Sequence, residues 1–184
     1  MSGDRYLIRG QHATYFLTFT VVDWIDLFTR PAYKEIIADA LNYCSQHKGW
    51  HIHAWVLMSN HMHLIATATH PFRMSDVIRD FKKFTSKKLV TTIQQIPESR
   101  REWLLHKFSY HAQRTGRAEY FKLWRDDNHA IVIDNQDMMM QKMNYIHNNP
   151  VRARIVSRAE DYVWSSAATY AGISQESIVR ITEI

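Results

Sequence analysis

Two stretches of this chain, "HIHAW" at 51–55 and "SNHMHLIA" at 59–66, each place two imidazoles two residues apart. On a β-strand successive side chains alternate faces, so His51 and His53, or His61 and His63, project together while the residue between them turns away. Two imidazoles at that spacing can share one divalent cation, and spacing alone leaves the two pairs tied. Near the other end, "YIHNNPVRARIV" at 145–156 sets Tyr145 and Asn149 four residues apart, one above the other along a helix. The apolar stripe of that helix runs through Met139, Met143 and Ile146, which leaves Tyr145 at its margin, where a phenol can look into a cleft. The same residues also fit a plainer pattern. In it Tyr145 only packs at an interface, and Asn149 is the N-cap of a new helix opened by Pro150.

The elements that must position these groups follow from patterning. "TYFLTFTVV" at 14–22 is rich in β-branched and aromatic residues and predicts a strand, after which Pro31 can open a helix. Ile36, Ile37, Ala40, Leu41 and Cys44 mark a helical stripe through 32–47 that stops at Gly49. Strands at about 51–58 and 61–68 follow, with Ser59 and Asn60 turning between them. Ser75 fits the N-cap of a second helix whose buried face runs Val77, Ile78, Phe81, Phe84, Leu89 and Ile93 toward Pro97. The charged stretch 98–124 reads as an insertion, a helix and then a turn at Thr115 and Gly116. "HAIVI" at 129–133 predicts a last strand, and Asp134 or Asn135 caps the helix that carries Tyr145. The order β, α, β, β, α, β with one added helix is an α+β, ferredoxin-like (split βαβ) plan. It is an antiparallel sheet with helices packed on it, the plan also used by RNA recognition motifs. We expect one domain over 1–184 with a helical insertion at about 98–124.

Composition fits a packed globular chain: 46% of 184 residues are hydrophobic, with only 5 Gly and 4 Pro. A lone cysteine, Cys44, falls on the apolar stripe of its helix and reads as core. The chain begins "MSGDRYLIRG" without an apolar leader, and no run approaches the roughly 18 apolar residues of a membrane span, so a cytoplasmic location is expected. Twenty-three Lys and Arg against 18 acids give a net charge of +5, which leans toward a polyanionic partner.

"LMSNHMHLIA" together with "YIHNNPVRARIV" resembles the HUH-class single-tyrosine transposases of the insertion-sequence type, closest to the branch associated with repetitive extragenic palindromes (REP). Their signature is Pro or Ser, Asn, His, a hydrophobic residue and His, followed by a Tyr with Asn or Gln four residues later. The likeness continues through "FKKFTSKKL", "LWRDDNHAIVI" and "EDYVWSSAATY", and so spans most of the chain from 14 to about 172. The resemblance implies that His61 and His63 are the metal-binding pair, Tyr145 the nucleophile, and Asn149 the residue completing the metal site. His51 and His53 match nothing in the pattern. Tyr145 lies 82 residues beyond His63, farther than in compact relatives, and the stretch 98–124 accounts for the excess. His129 matches a recurring family position without a role assigned to it.

The implied activity is that of a metal-dependent single-stranded DNA endonuclease and strand transferase. A tyrosine phenolate conserves the energy of the cleaved bond in a 5′-phosphotyrosine, which water cannot do. Two imidazoles and an amide suit Mg²⁺ or Mn²⁺ with positions left open for phosphate oxygens. Arg79, Lys83 and Lys87 repeat at i, i+4, i+8 with Lys82 and Lys88 beside them, a basic face for single-stranded or hairpin DNA, although such a run also fits an ordinary solvated surface. The competing class is a noncatalytic RRM-like nucleic-acid-binding module, whose usual aromatic-Gly signature is missing from this sequence. Whether the chain forms a homodimer is left open by the sequence.

Overall fold

The computed structural model of the chain describes residues 7–116, 118–173 and 177–183. The first six residues, on which the expectation of a missing leader partly rests, lie outside the described residues.

Four strands, β1 (Thr14–Thr20), β2 (Trp50–Leu57), β3 (His61–Ala68) and β4 (Ile131–Val132), form one antiparallel sheet in the order β2-β3-β1-β4. That is the split βαβ order expected from the sequence. α1 (Pro31–His47) and α2 (Met74–Gln95) pack on one face over Leu17, Phe19, Leu64 and Trp55. α4 (Gln136–Arg152) lies on the other face, where Met139, Met143 and Ile146 meet Phe16, Ala54, Val56 and Ile65. The strands are therefore covered on both sides over much of their length, which explains why β2 is almost continuously buried. α3 (Arg101–Thr115) lies within the stretch 98–124, and Gly116 ends it in the left-handed conformation with φ 61°. A four-residue α5 (Ala167–Tyr170) follows near the C-terminus.

Several local expectations need correction. Ser75 does not cap α2, because its N–H and hydroxyl both bond to Gln11 Oε1 while the helix already begins at Met74. Phe84 is 57% exposed and leaves the buried face to Val90. The last strand is shorter than 129–133, since His129 has φ 39° and breaks extended structure. Asn135, not Asp134, caps α4 by accepting from the Met138 N–H. Asn149 caps no new helix, for α4 runs unbroken through Pro150 to Arg152. Among the described residues no helix is long and apolar enough to cross a membrane.

Candidate active site

β3 positions the first histidine pair. In its register with β1, His61 faces Thr20 and His63 faces Thr18, and both imidazoles emerge on the α4 side of the sheet with ring centroids 4.8 Å apart. Each ring is fixed through Nδ1: His63 shares a 2.8 Å hydrogen bond with Thr18 Oγ1, and His61 a 2.7 Å bond with Asn60 Oδ1. Asn60 is held in turn by Asp26 Oδ1, which accepts from its amide at 3.0 Å and from Ser59 Oγ at 2.6 Å. Both Nε2 atoms are left as the nitrogens that a cation would use, the arrangement by which partners behind a metal-binding histidine set its tautomer. Burial, reinforced by His61, His129 and Lys142, pushes the His63 pKa down to about 3, and burial also lowers that of His61 against the opposing pull of Asp26. Neutral imidazoles are the form that binds metal.

α4 brings the tyrosine. Its buried side fastens to β2 through a 2.8 Å hydrogen bond between His147 Nε2 and Ser166 Oγ, whose hydroxyl also bonds to the Trp55 backbone. This fixes the rotation of the helix so that Tyr145, 37% exposed, stands over the sheet. The Tyr145 ring is 5.2 Å from the His63 ring and 5.9 Å, edge-on, from Phe16. Phe16 stacks on His63 at 5.3 Å and so forms the floor between them. Asn149 is half-buried one helical turn beyond Tyr145. Among the described residues no three His, Cys, Asp or Glu side chains cluster as metal ligands. The resemblance gives the place of a third protein donor to the Asn149 amide. The two imidazoles, with Nδ1 engaged and Nε2 facing out, suit a divalent cation with open positions.

Two cations near the tyrosine are not signalled by the sequence motif. The Arg152 guanidinium lies 5.5 Å from the Tyr145 ring centre, and Lys142 Nζ lies 4.9 Å from that of Phe16. Both sit within about two helical turns of Tyr145, so the helical period alone could have suggested Lys142 and Arg152.

His51 and His53 share the sheet face of the other pair but lie at its far end. His51 faces Thr67, six residues along β3 from His61, or about 20 Å. Both are engaged by the C-terminal segment: His51 Nδ1 lies 3.3 Å from Thr182 Oγ1, and His53 Nδ1 3.0 Å from the Thr182 carbonyl.

The basic residues of α2 occupy the face of the sheet opposite the histidines. Lys83, Lys87 and Lys88 are exposed. With Arg79, the first two line a groove of about 1000 Å³ whose other wall is the segment 118–128, including Tyr120, 67% exposed. Arg79 is paired with Asp76 at 2.7 Å and Asp80 at 3.0 Å. Lys82 departs from the expected role, because its ammonium turns inward to donate to the Arg125 carbonyl at 2.8 Å and lies 4.8 Å from the Phe19 ring centre. Burial lowers its pKa to about 8. It ties the segment 118–128 to α2 and lines the groove with its ammonium already engaged by the Arg125 carbonyl.

Residues 12–126 match the family described as "Transposase IS200 like", a span that includes the histidine pair and stops short of Tyr145. The chain belongs to this family of HUH-type transposases, which makes it a DNA-processing enzyme. Among solved structures it is similar to a REP-associated tyrosine transposase bound to a REP hairpin, at 18% identity with a TM-score of 0.65, covering 100% of this chain and 92% of that one. That likeness is one of fold. A protein from Deinococcus radiodurans, proposed to be a transposase, aligns at 15% identity with a TM-score of 0.46 over 80% of this chain and 96% of that one. Among curated proteins no sequence match is found.

Proposed function

We propose that the chain is a metal-dependent single-stranded DNA endonuclease and strand transferase that works through Tyr145. The observation that carries this reading is the 5.2 Å approach of the Tyr145 ring to His63, made across two elements that are remote in sequence. A phenol and a metal-binding imidazole pair on one patch supply a nucleophile and a seat for the phosphate it attacks.

Tyr145 Oη would attack the scissile phosphorus, forming an O–P bond as the bond from phosphorus to the 3′ oxygen breaks. The phenol proton goes to solvent, and the departing oxygen takes one up as a free 3′-OH. The DNA 5′ end stays on the protein as phosphotyrosine, and attack by a 3′-OH reverses the step. His61, His63 and the Asn149 amide would hold Mg²⁺ or Mn²⁺, which would supply charge neutralisation at the phosphate. Phe16 fixes the distance between the phenol and His63, and Arg152 places positive charge beside the tyrosine where phosphate oxygens collect.

Lys83 and Lys87 would hold the DNA backbone in the groove, where Tyr120 offers an aromatic face for a base. The hairpin on the REP-associated transposase, whose fold this chain shares, supports hairpin DNA as the form recognised. Incubation of a single-stranded or hairpin oligonucleotide with the protein and Mn²⁺ should give a covalent adduct that survives denaturing electrophoresis. A noncatalytic RRM-like module would bind the DNA and give none.

A further inference from the structure

The loop that leaves β1 carries a feature that the chemistry above does not use. Asp23 and Trp24 both adopt left-handed backbone, with φ of 53° and 54°, a region that non-glycine residues rarely enter. Trp24 is 53% exposed, and its ring centroid is 5.7 Å from that of His61 with the planes crossed at 71°. A crossed contact covers at most one face of the indole, so a large flat surface is left open at the rim of the histidine pair.

Residues from the insertion hold this conformation. From α3, Lys107 Nζ donates to Asp23 Oδ2 at 3.4 Å, and His111 Nε2 lies 2.9 Å from Asp23 Oδ1. Farther along the same loop, Arg100 donates to the Asp26 carbonyl at 2.7 Å and to Thr29 Oγ1 at 3.2 Å. A strained, exposed tryptophan held from both ends of its loop is preorganised for contact with something outside the protein.

The cleft beside it indicates what that is. Trp24 forms one wall of a space of about 450 Å³ shared with Asp23, Lys122, Arg125 and Asp127. Its cations are already matched by carboxylates: Lys122 pairs with Asp126 at 2.7 Å, and Arg125 with Asp127 at 3.1 Å. A phosphate would meet as much negative as positive charge there. A neutral planar base would meet an indole face and hydrogen-bonding groups.

We infer that Trp24 is a stacking platform for the nucleobase beside the scissile phosphate, set in place by the inserted helix. The inference rests on the proposed active site at His61 and His63, and it assigns Trp24 to positioning the strand with no part in bond breaking.

The test uses the full chain and a DNA hairpin with a single-stranded tail of mixed sequence, carrying 2-aminopurine at one tail position at a time. The cut phosphate is mapped separately from the covalent adduct. Wild-type protein should quench the fluorophore at a position next to that phosphate. Trp24→Ala should lose the quenching there alone and bind the tail roughly five- to a hundredfold more weakly, while Trp24→Phe keeps most of both. Trp24 is exposed, so the thermal midpoint should not move. Quenching that is unchanged in Trp24→Ala, or absent at every position in the wild type, overturns the inference. The two claims separate cleanly. An adduct without Trp24-dependent quenching leaves the tyrosine chemistry standing and removes the platform, whereas Trp24-dependent quenching without any adduct does the reverse.

Discussion

Tyr145 and His63 lie 82 residues apart in the chain, yet their rings sit 5.2 Å apart over Phe16. Neither β3 nor α4 could make this approach alone. β3 supplies an imidazole pair locked through Nδ1, and α4 supplies a phenol whose direction is fixed by the His147–Ser166 bond on the helix's buried side.

The Nδ1 bond from His63 to Thr18 leads to a prediction about metal affinity. Thr18→Val keeps the shape and strand preference but removes the hydroxyl. The Mn²⁺ concentration for half-maximal adduct formation should rise roughly 10- to 100-fold. His63→Ala or excess EDTA should abolish the adduct while DNA binding, measured by anisotropy, persists. Equal Mn²⁺ requirements for Thr18→Val and wild type would remove His63 from the metal site.

Lys83 and Lys87 should behave differently from Lys82, although the three are close in sequence. Replacing Lys83 and Lys87 together with Ala should weaken single-strand binding and flatten the log–log salt slope by about 1.4, or about 0.7 for each lost contact. Lys82→Ala should leave that slope unchanged and destabilise the fold by roughly 1–3 kcal/mol, because the ammonium-to-carbonyl bond that ties the segment 118–128 to α2 is lost. Salt-dependent binding and urea titrations on the same variants check both halves.

Glu98 should carry much of the acid sensitivity of the fold. Burial tends to raise its pKa, but hydrogen bonds from the Arg100 backbone and side chain and from Tyr33 outweigh this and bring it to about 2. A carboxylate with a depressed folded pKa contributes stability above its ordinary value near 4.5, and this is lost as pH falls toward 2. The contribution is on the order of 2–3 kcal/mol. Urea unfolding should show that loss between about pH 4.5 and pH 2 in wild type, while Glu98→Gln starts lower at neutral pH and stays flatter across that window.

What the sequence reveals and what it hides follow a physical division. The alternation of β3 and the stripe of α4 are periodic patterns with one buried face, so they can be read directly, and Tyr145 at the margin of its stripe is indeed half open. Contacts made by segments that arrive from elsewhere are not readable. Lys82 has the spacing of a surface charge, and only the segment around Arg125, about 40 residues away, turns it inward. Ser75 has the chemistry of a cap, and only Gln11 takes its hydrogen bonds. Trp24 gives no local signal, since residues that enter left-handed backbone without glycine are held there by tertiary contacts, here from α3.

The most direct test of the central claim is covalent capture by Tyr145→Phe, which removes one oxygen and retains the ring packed on Phe16 and His63. Wild-type protein with Mn²⁺ and a cleavable single-stranded or hairpin oligonucleotide should yield a protein–DNA adduct whose phosphotyrosine maps to Tyr145. The Phe variant should fold and bind DNA as wild type does and yield no adduct. An adduct formed by Tyr145→Phe at wild-type rate would contradict the assignment and place the nucleophile on another residue.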